Sequence, residues 1–184
     1  MSNSTARGNI GPGYVTWMAD DFKFCPRCGS PLDLRERHGR ERKGCIADGC
    51  GYVNWGNPTP VVAAIIEHEG QMLLARGKNW PEKMFALVTG FLEAAESPEQ
   101  GVLREVKEEV GLDGEVVELV GVYPFEMRNE VIIAFYVRTK GTITLNDELA
   151  AYKLVAKEKL RPWPMGTGLA VEAWIKKYVT RAVE

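Results

Sequence analysis

Residues 90–112 read GFLEAAESPEQGVLREVKEEVGL, and the second half of this stretch has the pattern of a helix. Ser97 is a good N-cap, Pro98 suits the first helical position, and Gln100 completes a capping box with the N-cap. Gly111 then ends the helix, because glycine readily adopts the left-handed conformation that follows a last helical turn. The sequence therefore predicts a helix that begins at Pro98 and ends just before Gly111.

The predicted helix has an apolar face beside an acidic face. At 3.6 residues per turn, four apolar side chains share an arc of roughly 100°, and three glutamates share the neighbouring arc. The apolar residues are Val102, Leu103, Val106 and Val110, and the glutamates are Glu105, Glu108 and Glu109. Glutamates at this spacing repel one another by roughly a few tenths of a kcal/mol per pair. The acidic face is either solvated surface or a site for a divalent cation.

The whole stretch resembles the Nudix box, whose pattern is G-x5-E-x7-R-E-U-x-E-E-x-G-U, with U an aliphatic residue. Every fixed position of that pattern is filled without a gap. The matching residues are Gly90, Glu96, Arg104, Glu105, Val106, Glu108, Glu109, Gly111 and Leu112. This resemblance favours metal binding over a solvated face, and it implies a fold of strands sandwiched between helices.

The resemblance also implies which groups of the box bind metal. Glu105, Glu108 and Glu109 would coordinate magnesium or manganese. The carbonyl oxygen of Gly90 is a further expected ligand, because magnesium prefers hard oxygen donors. Such an ion would neutralise a phosphoric anhydride and lower the pKa of an attacking water.

Further side chains are assigned to orientation and to proton transfer. We interpret Glu96 and Arg104 as an orienting pair, because an arginine can hold carboxylates by charge-assisted hydrogen bonds without binding metal. In the resembling family the general base comes either from the box, here Glu108 or Glu109, or from a later loop. On such a loop Glu148 is the candidate base, and a solvated carboxylate without function is the alternative.

All four cysteines lie in one short segment, at Cys25, Cys28, Cys45 and Cys50. The two pairs have the spacing of a zinc ribbon, in which four thiolates bind one structural zinc ion, although the second pair is wider than the usual C-x2-C. A redox dithiol and a pair of disulfides are the alternatives. No βαβ pattern surrounds Cys25, and the cysteines do not span a domain as a disulfide framework would. We therefore predict structural zinc that takes no part in catalysis.

A zinc ribbon directly before a Nudix box resembles the C-terminal part of the NADH pyrophosphatase family, over residues 22–175. That family carries a motif of the form S-Q-P-W-P-F-P-x-S after its box, and residues 122–130 match it in part. Tyr123 and Phe125 correspond to its aromatic core, whereas both serines and the glutamine are absent. The two aromatic side chains either stack on a base of the substrate or belong to the hydrophobic core.

Apolar runs on both sides of the helix predict a sheet. The predicted strands cover 61–66, 72–75, 85–89, 115–122 and 131–137, and a closing helix covers 169–179. This order predicts an α/β (α+β) fold, a Nudix α/β/α sandwich with a mixed sheet, preceded by the small zinc ribbon. We expect a flexible leader at 1–20, the ribbon at 21–57 and the Nudix hydrolase domain at 58–184.

Composition and charge limit the partners. A net charge of −2, with Lys and Arg scattered along the chain, gives no general basic surface, so we do not expect nucleic acid unless a local groove provides one. The longest apolar run, 131–137, is far shorter than the ~20 residues of a membrane span, so we expect no membrane contact and a cytoplasmic protein. His38 and His68, the only histidines, are expected at the surface. The resembling family implies a homodimer.

The predicted function is magnesium-dependent hydrolysis of a nucleoside diphosphate linked to another moiety, such as NADH, NAD, ADP-ribose or FAD. The products would be a nucleoside monophosphate and a second phosphorylated compound. One alternative is a pyrophosphohydrolase of RNA 5′ ends or NAD caps. Another is a non-catalytic nucleotide sensor whose ribbon binds nucleic acid or protein, although a sensor would be expected to have lost a metal-binding glutamate.

Overall fold

The structure is a computed structural model that describes residues 22–180. The predicted leader at 1–20 lies outside the described residues. The described chain divides into two compact units. The smaller unit comprises 22–59 and 126–130, and the larger comprises 60–125 and 131–180. None of the described helices is long and apolar enough to cross a membrane.

The smaller unit contains a three-stranded sheet in the order β1-β2-β3. These strands are β1 (Leu32–Arg37), β2 (Arg40–Cys45) and β3 (Val53–Asn54). His38 and Gly39 join β1 to β2 with φ values of 52° and 75°, as a tight two-residue hairpin turn requires. Within the described part of this unit, the buried apolar side chains are Cys25 and Cys45 alone. So small a core cannot stabilise the unit by itself.

The larger unit contains a six-stranded mixed sheet. Its strands are β4 (Thr59–His68), β5 (Gln71–Gly77), β6 (Val88–Phe91), β7 (Asp113–Phe125), β8 (Glu130–Lys140) and β9 (Leu149–Val155). Five of them follow the order β7-β8-β4-β5-β9, and β6 pairs with β4. The pairings of β4 with β5 and β6, and of β5 with β9, are antiparallel.

One helix covers each face of this sheet. The helices are α1 (Pro98–Val110) and α2 (Gly168–Ile175), and a π-helical turn, Lys176–Thr180, follows α2. Along β4, Val62 and Ala64 belong to the hydrophobic cluster that includes α1, whereas Ala63 and Ile65 belong to the cluster that includes α2. The predicted α/β/α sandwich is therefore confirmed, and β4 lies buried between its two layers.

Helix α1 agrees with its prediction at both ends. The hydroxyl of Ser97 accepts a hydrogen bond from Gln100 N at 3.3 Å, and Gln100 Oε1 accepts one from Ser97 N at 2.8 Å. At the other end Gly111 has a φ of 72°, and its N–H donates to Lys107 O. The strands predicted at 61–66 and 72–75 are likewise present, within β4 and β5, and they pair as an antiparallel hairpin.

Four details of the sequence prediction are wrong. The third strand is Val88–Phe91, three residues later than predicted, because the pairing with β4 sets its position. Strand β9 was not predicted, since three of the seven residues of this edge strand are exposed and its sequence lacks a clear alternation. The closing helix becomes π-helical after Ile175. His68 is buried in β4, with Nδ1 3.0 Å from Thr139 Oγ1.

Candidate active site

Strand β6 brings Gly90 against the acidic face of α1. Gly90 pairs with Val62 of the buried strand β4, which fixes its position beneath the helix. The carboxylate of Glu105 fills the space that a Cβ atom on residue 90 would need. Only glycine leaves room for this carboxylate, so the first fixed position of the box has a steric cause.

Arg104 is the centre of a hydrogen-bond network among the glutamates. Its Nε and Nη2 donate to Glu96 Oε2 and Oε1 at 3.1 and 2.7 Å, a two-point contact. Its Nη1 donates to Glu105 Oε1 at 2.6 Å and to Glu108 Oε2 at 3.1 Å. Nη2 also donates to the Phe91 carbonyl oxygen at 3.0 Å, which ties α1 to the end of β6. The guanidinium thereby restricts three carboxylates at once.

The network moves the pKa values of its carboxyl groups in opposite directions. The hydrogen bonds from Arg104, with a further one from Glu93 N at 2.7 Å, hold the pKa of Glu96 below its ordinary value. The pKa of Glu105 is raised, mainly because this side chain is largely buried, with 13% of its surface exposed. Arg104 opposes that rise without cancelling it.

Glu109 is the most strongly perturbed acid of the site. Burial is the main cause that raises its pKa to about 8, and the charges of Glu105, Glu148 and Glu108 add to it. Three carboxylates therefore surround a fourth in partly buried surroundings. A cation would offset this repulsion, and the oxygen donors match what magnesium or manganese prefers.

The loop before β9 brings Glu148 near the end of α1. Asn146 N donates to Glu109 O at 3.0 Å, which attaches the loop to the helix. The side-chain oxygen of Asn146 accepts from Glu148 N at 3.0 Å, and the Glu148 carbonyl accepts from Lys78 N at 2.9 Å. The side chain of Glu148 is exposed beside the acidic face, in reach of solvent water.

The four thiols of the smaller unit converge on one point. The Sγ atoms of Cys25 and Cys50 are 3.7 Å apart, those of Cys28 and Cys45 are 3.4 Å apart, and all four lie within 4.8 Å of one another. Tetrahedral zinc with Zn–S bonds of about 2.3 Å requires sulfur separations of about 3.8 Å, whereas a disulfide requires about 2.05 Å. The thiols fit zinc. Among residues 22–180 they are the only His, Cys, Asp or Glu group this tightly gathered.

The thiols are not electrostatically equivalent. Hydrogen bonding from Ser30 lowers the pKa of Cys28 to about 6. Burial raises the pKa of Cys45 to about 12, although Ala47 N donates to its sulfur at 3.4 Å. A buried thiol of this kind becomes a thiolate when a metal cation compensates its charge.

Tyr123 and Phe125, for which base stacking and a place in the hydrophobic core are the alternatives, lie at the end of β7. Both are partly buried and pack against the cluster beneath α2. The Phe125 ring lies 3.6 Å from where a Cβ on Gly166 would be, and burial raises the pKa of Tyr123. This position supports the core interpretation of the two side chains.

Residues 57–172 match the NUDIX domain, and the chain belongs to this family. Among curated relatives, the NAD-capped RNA hydrolase NudC of Vibrio atlanticus (strain LGP32) is 30% identical to this chain, over 64% of this chain and 42% of that protein. The human NAD-capped RNA hydrolase NUDT12 is 32% identical over 61% of this chain and 26% of that protein. The chain thus spans less than half the length of either relative.

A solved structure extends the similarity over most of the chain. The crystal structure of a NUDIX hydrolase from Nitrosomonas europaea superimposes with a TM-score of 0.70 at 26% identity, and it covers 86% of this chain and 94% of that one. A UDP-X diphosphatase is also 26% identical, with a TM-score of 0.55, over 66% of this chain and 64% of that one. The fold predicted from the box is the fold of these proteins.

Proposed function

We propose that this chain is a divalent-metal-dependent pyrophosphohydrolase. It cleaves a nucleoside diphosphate linked to another moiety, such as NADH, NAD, ADP-ribose or FAD, to a nucleoside monophosphate and a second phosphorylated product. The observation that carries this proposal is the acidic face of α1, held against Gly90 by the contacts of Arg104. An acidic helix face that is merely solvated requires neither a glycine on the strand beneath it nor an arginine that donates hydrogen bonds to several of its carboxylates.

Magnesium or manganese would be held by Glu105, Glu108, Glu109 and the Gly90 carbonyl oxygen. When bound, the ion supplies charge neutralisation of the phosphates and a lowered pKa for the attacking water. Arg104 has a positioning role, because it restrains Glu105 and Glu108 at once. Glu96 in turn holds the guanidinium by two hydrogen bonds.

Three carboxylates are candidates for the general base. Glu148 is exposed and its charge acts on Glu109, so it can accept a proton from water beside the acidic face. Glu108 is also exposed, but Arg104 donates to it. Glu109 is partly buried among acids, and its role as a metal ligand would use the same oxygens. We propose Glu148 as the base.

The smaller unit has a structural role in this proposal. Zinc on Cys25, Cys28, Cys45 and Cys50 would hold a ribbon at 21–57, which precedes the Nudix domain at 58–184 in the chain. The four converging thiols support it. We further propose a cytoplasmic location and, as the family that the chain resembles implies, a homodimer.

A second candidate substrate is RNA that carries a 5′ NAD cap. The curated relatives from Vibrio atlanticus and from human are both named NAD-capped RNA hydrolases. The same anhydride joins the two halves of NAD in the free dinucleotide and in the cap, so one arrangement of metal ligands serves both substrates. This candidate runs against the expectation, drawn from net charge, that nucleic acid is a partner only if a local groove provides a basic surface.

Product analysis tests both candidates. The purified protein with magnesium or manganese is incubated with NADH, NAD, ADP-ribose, FAD, nucleoside triphosphates and NAD-capped RNA. Release of AMP from NADH is expected, and Glu108→Gln should abolish it. Glu99→Gln, an exposed glutamate in the first turn of the same helix, should keep full activity. If no substrate is turned over with either metal, the pyrophosphohydrolase proposal is wrong and the sensor alternative gains support.

A further inference from the structure

Four arginines share one face of the β1–β2 hairpin. In the register of this antiparallel pair, Arg35 lies opposite Arg42, and Arg37 lies opposite Arg40. Directly opposed residues project to the same face of a sheet, and so do alternate residues along one strand. From the sequence alone, without this strand register, we expected the Lys and Arg residues to be scattered over the surface. That expectation is wrong for the hairpin.

The two faces of the hairpin carry opposite charge. Glu36 lies opposite Glu41 on the other face, where Leu34 lies opposite Lys43. The arginine face has one carboxylate, Asp33, which accepts a hydrogen bond from the backbone N of the next residue. Like charges directly opposed across strands destabilise a hairpin. The arginine pairs therefore cost stability, and a bound polyanion would offset this cost.

An exposed indole adjoins the arginines. Pairing of β2 with β3 places Trp55 beside Arg42, since Lys43 pairs with Asn54. The Arg42 guanidinium carbon lies 5.1 Å from the Trp55 ring centroid, and the guanidinium donates to the Trp55 carbonyl oxygen. The His38 imidazole stacks on the indole at 5.9 Å and 26°. The indole is thus fixed in orientation, yet Trp55 remains 44% exposed.

We propose that this arginine–tryptophan face, formed by Arg35, Arg37, Arg40, Arg42 and Trp55, binds single-stranded RNA. Guanidinium groups pair with successive phosphates, and an oriented exposed indole stacks on a base. A single strand is required because the bases inside a duplex are stacked on both faces by their neighbours, which leaves no free face for the indole. The choice of RNA rests on the capped-RNA candidate of the proposed function, whereas the binding surface itself does not require hydrolysis.

The test separates RNA binding from catalysis. Fluorescence anisotropy follows a short single-stranded RNA with a 5′-hydroxyl end, which carries no anhydride, at several salt concentrations and without added divalent metal. The variant Arg37→Gln with Arg40→Gln should raise Kd about tenfold and reduce the slope of log Kd against log salt by about 1.4, since each lost phosphate contact contributes about 0.7. Trp55→Leu should weaken binding while leaving the slope unchanged.

A matched control removes two positive charges elsewhere. The double variant Arg138→Gln with Lys176→Gln alters two exposed side chains of the larger unit and loses the same two positive charges as the hairpin variant. It should bind RNA as tightly as the parent protein does. The hairpin variant relieves a repulsive pair, so its thermal unfolding temperature should not fall. Its hydrolysis of NADH should be unchanged, because neither arginine belongs to the proposed active site. If the parent protein does not hydrolyse NADH, the proposed function is contradicted, but the RNA-binding proposal is not.

Three results would overturn the RNA proposal. An unchanged Kd and an unchanged salt slope in the hairpin variant would exclude the arginine face as the RNA-binding surface. The control variant losing as much affinity as the hairpin variant would show that net charge alone determines binding. Competition by a polyglutamate peptide as effective as that by unlabelled RNA would identify a general surface for acidic chains.

Discussion

Gly90 shows how a single residue can decide the geometry of the site. Its backbone pairs with β4 on one side, and the Glu105 carboxylate lies where its side chain would otherwise be. The glycine is needed here for close approach rather than for an unusual backbone conformation, since its φ is not positive. Any side chain at this position must displace the carboxylate.

Gly90→Ala should therefore reduce metal-dependent kcat by about 100-fold, as expected when a reacting group is displaced by about 1 Å. Steady-state hydrolysis of the best substrate measures the loss, and thermal unfolding checks the fold. A double-mutant cycle provides the control. In a Glu105→Ala background the added methyl meets no carboxylate, so Gly90→Ala should cost little more. An equal loss in both backgrounds would contradict the steric explanation.

At the scale of elements, local signals predicted α1 well and the strands less well. The cap residues Ser97 and Gln100 and the terminal Gly111 lie within the helix or next to it, so sequence alone contains what determines its ends. The position of β6 depends on β4, more than twenty residues earlier in the chain, and β9 depends on β5. Pairing partners so distant leave no local pattern to read.

The capping box of α1 should contribute measurably to stability. Ser97→Ala removes the acceptor for Gln100 N and should lower the free energy of unfolding by about 1 kcal/mol. Urea unfolding, with the slope m checked for constancy, measures the change. Ser97→Asp keeps an acceptor and should unfold close to the parent. If alanine and aspartate destabilised the protein equally, the hydrogen bond at the cap would not be the cause.

An ion pair between β7 and the π-helical turn predicts a pH dependence. Lys177 Nζ donates to Glu118 Oε2, and this bond is the main cause that lowers the pKa of Glu118. A lowered folded-state pKa adds stability above the unfolded value of about 4.3, and that stability is lost as pH falls through the folded pKa.

Glu118→Gln should therefore be less stable than the parent at pH 7, by less than about 1 kcal/mol because the pair is partly solvated. The difference should shrink towards zero as pH falls below about 4. Unfolding of both proteins in urea across this range measures the difference, so that other acid effects cancel. Glu172→Gln, whose carboxylate pairs with Lys176 in a more exposed position, serves as the control. A difference independent of pH would contradict the assignment.

For the whole molecule, the sequence predicted the site residues that lie within one segment, but not the contacts that form between distant segments. The box residues and the four cysteines could be identified from the sequence because each set lies within one segment at a characteristic spacing. The network of Arg104 could be foreseen only as an orienting pair, since its contact with Phe91 O depends on packing. The arginine–tryptophan face was missed altogether, because strand register decides which side chains share a face.

Zinc should be bound at one ion per chain and should be needed for the smaller unit to fold. Its described part buries no apolar side chain besides two cysteines, so removal of the metal should expose the backbone of residues 22–59. Metal analysis gives the stoichiometry, and hydrogen exchange of the chelator-treated protein locates the loss of protection. Cys50→Ser should bind zinc more weakly. Full protection after complete zinc removal would contradict this role.

The buried strand β4 also limits how the gene can change. Its alternate residues serve two different hydrophobic layers, with Val62 and Ala64 towards α1, and Ala63 and Ile65 towards α2. A substitution alters one layer at one position. An insertion or deletion of one codon would exchange the layers for every residue beyond it. We therefore expect that across evolution this strand varies in composition but keeps a constant length, and that changes in length are confined to the loops.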